Sequence, residues 1–224
     1  PGLVAGGGVG AARGRARGGA SQRIRTRPAR RRDPRAVDPR HHARPGPDDP
    51  RRPGPPPATN SEQMKQETAE VAGYAKNPTR ADIDLVHFWA DGVGTYTPPG
   101  HWNAIAAEDF IGQHYSEVRW ARNMALLNMS LMDAAIVCWN TKYFYFNPRP
   151  TQMDPSIKTV TGIPNFPAYI SGHSTFSGAA AEILGHIIPS RAADYNQMAS
   201  DASRSRMVSG IHYRSDCEVG LQTG

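Results

Sequence analysis

The chain has 224 residues, a mean hydropathy of −0.56 and a formal net charge of +6, which is enough for one domain of ordinary size with a tail. The charge is uneven: residues 1–60 hold 14 of the 26 Lys and Arg but only 4 of the 20 Asp and Glu. The remainder is therefore mildly acidic, and the overall basicity does not make that part a polyanion-binding domain.

Residues 1–60 are rich in Arg, Pro, Gly and Ala and contain no aromatic residue. Such a stretch buries too little apolar surface to offset its ordering entropy, so a disordered tail is expected. An arginine-rich arm that binds RNA is the functional alternative. A basic run alone is weak ground for it, because a solvated tail, or an out-of-frame translation of GC-rich sequence, looks the same.

The domain is expected over 61–224. Ser61 is an N-cap candidate before a first helix, and 82–89 reads as an amphipathic second helix with Ile83, Val86 and Phe88-Trp89 on or near its buried face. Residues 91–100 are loop by composition, and 101–109 form a short helix. The longest helical candidate is 115–142, with Val118, Ala121, Leu126, Met129, Met132, Ala135 and Ile136 as its apolar stripe. Pro148 and Pro150 end that register. A Pro-containing loop fills 151–170, and helices follow over 174–188 and 192–216, with a break near Ser209-Gly210. Alternating β patterns are scarce, so the fold class is all-α, a helical bundle.

No stretch offers the roughly 20 apolar residues of a membrane span. The most apolar run, 124–139, is interrupted by Asn128, Ser130 and Asp133. The first thirty residues lack a signal-peptide core. The chain begins with Pro1 and stops at Gly224 inside a continuing element, and so reads as a fragment truncated at its C-terminus. The compartment stays open, periplasmic or secreted if a signal is missing. Cys138 and Cys217 make neither a disulfide framework nor a zinc pattern.

Three segments carry chemistry. Lys142 and Arg149-Pro150 place two cations seven apart, near one helical face, as a clamp for an oxyanion. Ser171-Gly172-His173 runs from a loop into a helix start, whose free N–H groups suit an anion. There Ser171 adds a hydroxyl donor, Gly172 allows close backbone approach, and His173 is an acid–base candidate. In the third segment, Ser205-Arg206 precedes His212 and Asp216. Four apart on a helix, these two are neighbours, and a carboxylate on one ring nitrogen makes the other a better nucleophile or ligand. Taken singly, the segments read as surface cations, an ordinary N-cap and a surface ion pair. Their order and their common fitness for one oxyanion decide against that.

Lys-x6-Arg-Pro, Ser-Gly-His and Ser-Arg-x5-His-x3-Asp together resemble the superfamily that joins vanadate-dependent haloperoxidases, bacterial acid phosphatases and type 2 phosphatidic acid phosphatases. One signature position departs: Ile170 replaces the Pro before Ser-Gly-His, which affects loop stiffness rather than a ligand group. Phe88-Trp89-Ala90-Asp91-Gly92, Thr97-Pro98-Pro99, Trp102-Asn103 and Phe166-Pro167-Ala168-Tyr169 look like the haloperoxidase branch. The resemblance implies that Lys142, Arg149 and Arg206 neutralise vanadate or phosphate oxygens, with Ser171 and the Gly172 N–H as further donors. It implies His212 as vanadium ligand or phosphorylated nucleophile, oriented by Asp216, and His173 as the acid–base group. It further implies that Asp91 pairs with Arg149 and that Trp139 and Phe166 flank a halide.

The implied function is a haloperoxidase that uses vanadate, hydrogen peroxide and halide. The alternative is an acid phosphatase that needs no cofactor and acts on phosphoesters, which the short interval between Ser-Gly-His and Ser-Arg favours. Non-enzymatic nucleic-acid binding by the tail is the third reading, and a homo-oligomer is compatible with all three. His87, His101, His114 and His186 share no ligand spacing and read as surface or hydrogen-bonded core residues.

Overall fold

The computed structural model describes residues 49–224. The described chain is helical and contains no strand, an all-α fold. Four of its helices begin where a short polar side chain takes a free N–H group of the first turn. Ser61 accepts from the Met64 N–H to open α1 (Glu62–Lys76). Thr79 and Asp82 cap each other's backbone at α2 (Arg80–Phe88). Pro98 and Pro99 stand in the first turn of α3 (Thr97–Ile111), where a missing N–H costs no helical bond.

Ser116 caps α4 (Glu117–Tyr145), which ends as Phe146 turns left-handed at φ 51°. The short α5 (Pro150–Met153) follows, and a long loop reaches Ser171, the cap of α6 (Gly172–Ile187). A 3-10 turn over Pro189–Arg191 leads into α7 (Ala192–Val208), and α8 (Arg214–Thr223) follows.

The core forms around α6, which packs against α7, α4 and α8. Its small residues Ala179, Ala180 and Ala181 let large side chains from other elements close over it, among them Trp89, Trp102, Phe110, Leu127, Leu131 and Tyr195. Trp102 on α3 is fully buried, and its indole N–H donates to Ser177 Oγ on α6 at 2.9 Å. Phe88, expected beside Trp89 on the buried face, is exposed.

The stripe expected to face the core on α4 is corrected. Val118, Met129, Met132 and Ile136 are exposed, the two methionines by more than 60%. The buried face is the opposite one: Asn123, Leu127, Leu131, Ala134, Cys138, Thr141 and Lys142. Both stripes have helical spacing, so periodicity alone does not choose between them. Ala134 and Cys138 are small enough to let α4 approach α6 closely, and this decides the orientation.

The crossing of α8 over α6 positions two of the three motifs. A Cβ on Gly220 would lie 2.8 Å from Ser174 Cβ and 3.0 Å from the Ser171 carbonyl. Gly220→Ala is therefore expected to cost about 1–3 kcal/mol through overpacking, read as a lower urea midpoint with an unchanged slope.

Residues 49–60, assigned by composition to the tail, make specific contacts with the domain. Arg52 donates to Asn140 Oδ1 and stacks 3.6 Å over Phe144. The Pro53 and Gly54 carbonyls accept from the Tyr145 and Tyr169 hydroxyls. The rest of the expected tail, 1–48, lies outside the described residues. Among the described residues no helix is long and apolar enough to cross a membrane.

Candidate active site

The first motif is not one continuous helical face. Lys142 lies in the last turn of α4, whereas Arg149 comes after the helix has stopped and caps α5. The two cations meet because the loop before Ser171 folds over both. Lys142 Nζ donates to the Pro167 and Ala168 carbonyls at 2.9 Å. Arg149 donates to the Phe166 and Pro167 carbonyls through Nε and Nη2, and to the Ile211 carbonyl through Nη1. The Phe166 ring lies 5.1 Å from Lys142 Nζ and 5.2 Å from Arg149 Cζ, and it packs on Trp139 at 5.4 Å. The aromatic pair and the cation pair thus share one wall, with Trp139 partly exposed.

The third motif differs from the expected helix as well. α7 stops at Val208, and Gly210 turns the chain with φ +83°, where a Cβ would press on Ile157 and Thr159. His212 lies in the connecting turn, before Tyr213 caps α8. Asp216 is the third residue of α8. Its Oδ2 accepts from the Tyr213 N–H at 3.1 Å, as in a capping box, and contacts His212 Nδ1 at 2.9 Å. The His–Asp contact expected from helical spacing is present, but helix-start geometry makes it.

These hydrogen bonds fix the His212 tautomer. The Asp216 carboxylate accepts from Nδ1–H. Arg149 Nη1 lies 3.0 Å from Nε2, and a guanidinium only donates, so Nε2 carries the lone pair. His212 is buried, and burial together with the charges of Arg149, Lys142 and Arg206 holds it neutral, well below the usual imidazole range. Burial pushes Asp216 up to about 7, against the pull of Lys142, the Tyr213 N–H and Arg149.

Ser171 and Gly172 begin α6, and the Ser171 N–H donates to the Asp216 carbonyl, which ties the second motif to the third. The ring of Trp139 packs against Gly172, where a Cβ would meet it at 3.6 Å, an ordinary contact. Arg206 is buried, with Nε donating to Ser205 Oγ. Burial lowers Arg149 and Arg206 to about 10 and Lys142 to about 8. Burial and the nearby Arg206 likewise keep His173 neutral, and its Nε2 is buried without a hydrogen-bond partner. Three cations are thus crowded into one buried region with two carboxylates nearby, Asp91 and Asp216. Uncompensated buried charge is costly, and an anionic guest would relieve it.

Residues 123–224, which contain all three motifs, match the family model for the PAP2 superfamily. The chain carries a PAP2 superfamily domain. Over 161 residues the chain is 26% identical to the vanadium chloroperoxidase of Curvularia inaequalis, an alignment covering 56% of this chain and 26% of that protein. A bacterial vanadium-dependent iodoperoxidase structure superposes with a TM-score of 0.70 at 29% identity, covering 78% of this chain and 50% of that one. A transmembrane PAP2-type phosphatidylglycerolphosphate phosphatase from Bacillus subtilis shares the fold, with a TM-score of 0.51 at 12% identity over 74% of this chain and 84% of that one. The chain thus spans half the length of the iodoperoxidase chain and about a quarter of the chloroperoxidase.

One expected partnership at the site is corrected. Asp91 does not pair with Arg149, whose guanidinium is spent on carbonyls and His212. Asp91 instead takes His101 Nδ1 on both oxygens, at 3.2 and 3.1 Å, and its charge acts on Arg206. His101, read from sequence as an unremarked histidine, is therefore part of the site's surroundings. Its only sequence signal is a place in the helix that follows the Asp91 loop, ten residues on.

Proposed function

We propose that the PAP2 domain binds a tetrahedral oxyanion among Lys142, Arg149, Arg206 and the start of α6, and that it works as a vanadate-dependent haloperoxidase on hydrogen peroxide and a halide. The observation that carries this reading is the neutral His212, whose Nε2 lone pair is turned toward a buried cluster of cations while Asp216 holds its other nitrogen.

The residues present fit vanadate. His212 Nε2 would ligate vanadium. Lys142, Arg149 and Arg206 would neutralise its oxygens, and Ser171 Oγ–H and the Gly172 N–H would add donors. Bound vanadate supplies the Lewis acid that activates peroxide. The protein's part is to bind the anion, to shield it from bulk water and to hold a proton at His173 for exchange with an oxygen of the guest. The Trp139–Phe166 pair beside the cations is the candidate surface for halide. The likeness to the iodoperoxidase, 29% identical over 78% of the chain, supports this branch.

One observation favours phosphomonoester hydrolysis as the second reading. Only the short turn Pro189–Arg191 separates α6 from α7, so Ser-Gly-His leads almost directly to Ser205-Arg206 with no covering insertion. In that reaction His212 Nε2 attacks phosphorus, the P–O ester bond breaks, and the leaving oxygen takes a proton that His173 gains once the anionic ester is bound; water, giving a proton back to His173, then breaks the P–N bond and releases phosphate.

A side-by-side assay tests both. The haloperoxidase reading expects peroxide- and halide-dependent bleaching of a halogen-accepting dye only after vanadate is added. The phosphatase reading expects hydrolysis of a chromogenic phosphomonoester without added metal, inhibited by vanadate. A folded protein that does neither overturns the proposal.

A further inference from the structure

Asp91 stands between two imidazoles. On one side His101 Nδ1 reaches both of its oxygens, and both side chains are nearly inaccessible, 6% exposed for His101 and 5% for Asp91. A carboxylate only accepts here, so Nδ1 of His101 carries the proton. On the other side Asp91 Oδ2 lies 3.9 Å from His173 Nε2, the buried nitrogen without a hydrogen-bond partner. That distance is too long for a hydrogen bond, but catalytic contacts are often loose before a guest is bound. The backbone at Trp89 and Ala90 also favours a proton on the His173 ring.

His101 is not placed there by chance packing alone. Its ring is boxed by Trp89 at 4.6 Å, Phe88 at 5.0 Å and Tyr96 at 5.3 Å, which fixes its plane. Asp91 sits at φ 42°, a left-handed conformation that an Asp tolerates better than most residues. The aromatic box orients His101, and His101 orients the carboxylate.

We propose that His101 is a positioning residue for His173: through Asp91 it fixes the His173 proton on Nε2 and leaves Nδ1 to exchange a proton with the guest. The inference rests on the reading of His173 as the acid–base group. It adds a buried imidazole that touches neither guest nor His173 and acts only through the carboxylate. The effect of His101 belongs to turnover, since it touches none of the cations that hold the oxyanion, whereas Asp91 also acts by its charge on Arg206.

The test compares three variants of the full chain. His101→Phe keeps an aromatic in the box and loses the donor. His101→Asn restores an N–H near the Nδ1 position. Asp91→Asn removes the carboxylate without changing its shape. The readouts are the ring nitrogen signals of His173 by NMR in the free protein, the dissociation constant of inorganic phosphate, and kcat in whichever assay is active.

Wild type is expected to show His173 as the Nε2–H tautomer. His101→Phe and Asp91→Asn are expected to move it toward a tautomer mixture and to lower kcat about 10–100-fold, with phosphate affinity in His101→Phe within about twofold of wild type. His101→Asn is expected to recover the wild-type tautomer and most of kcat. An unchanged His173 spectrum in His101→Phe, or in Asp91→Asn should the first variant not fold, overturns the proposal. So does an equal change in His101→Asn and His101→Phe, which would mark a packing role. If wild type binds no oxyanion and turns over nothing, the proposed function fails, while the His173 spectrum still decides the positioning role.

Discussion

His212→Ala is expected to bring turnover down to the protein-free rate in either assay, a loss of roughly 10³-fold or more. The size follows from what the imidazole supplies. Its Nε2 offers an uncharged nitrogen lone pair to the cations, since Asp216 occupies Nδ1 and Arg149 donates toward Nε2 from 3.0 Å. Arg149 thus covers this nitrogen, and a bound oxyanion would draw the guanidinium onto its own oxygens and free it. Removing the ring leaves Arg149 its carbonyl acceptors at Phe166, Pro167 and Ile211, so the fold should survive.

Asp216→Asn is the graded companion, and a loss of about 10–100-fold is expected for it, in line with a residue that orients a ligand rather than being one. Circular dichroism confirms folding in both variants, and initial rates measure the loss. Full turnover in His212→Ala would remove His212 from any chemical role.

The three motifs were legible in the sequence because each carries several unusual residues in a short span. Their assembly was less so. Helical spacing implied that Lys142 and Arg149 share a face and that His212 and Asp216 share a helix, yet both pairs straddle a helix end. A residue spacing of four fits a helix and also fits a capping box, in which the third helical residue reaches back past the cap. The orientation of α4 was illegible for another reason: the helix carries two apolar stripes, and the choice between them rests on how closely Ala134 and Cys138 approach α6, a tertiary matter. The Asp91–His101 contact joins a loop to the next helix through an aromatic box, and no local pattern encodes it.

Phosphate affinity is expected to fall as pH rises above about 8, by up to tenfold per pH unit, while the contribution of Lys142 to the stability of the free protein rises over the same range. Both trends come from Lys142. Burial lowers its pKa from 10.5 to about 8. Above that value the free folded protein gives up the ammonium proton that an oxyanion needs. Binding an anion beside Nζ favours the charged form, so binding must take up as much as one proton.

The stability trend has the opposite sign. Between about 8 and 10.5 the unfolded chain retains a lysine proton that the folded chain has released, so this residue's contribution to the unfolding free energy increases with pH, against the buried Cys138 and Cys217 thiols, whose raised pKa values act the other way above about 9. The burden of a buried ammonium, roughly 3 kcal/mol when fully expressed, is present below 8 and lifted as pH approaches the unfolded value. Calorimetric titration of phosphate in buffers of different ionisation enthalpy counts the protons, and urea unfolding of wild type and Lys142→Gln at pH 7.5 and 9.5 gives the lysine's share of the stability by difference.

Lys142→Gln is expected to weaken binding about 10–100-fold at pH 7, the worth of one charge-assisted hydrogen bond, and to abolish the proton uptake. Uptake that persists in this variant would place the titrating group elsewhere. The protein gives up stability at neutral pH to keep a charged lysine in a dry site, and a guest that brought negative charge would make that arrangement favourable.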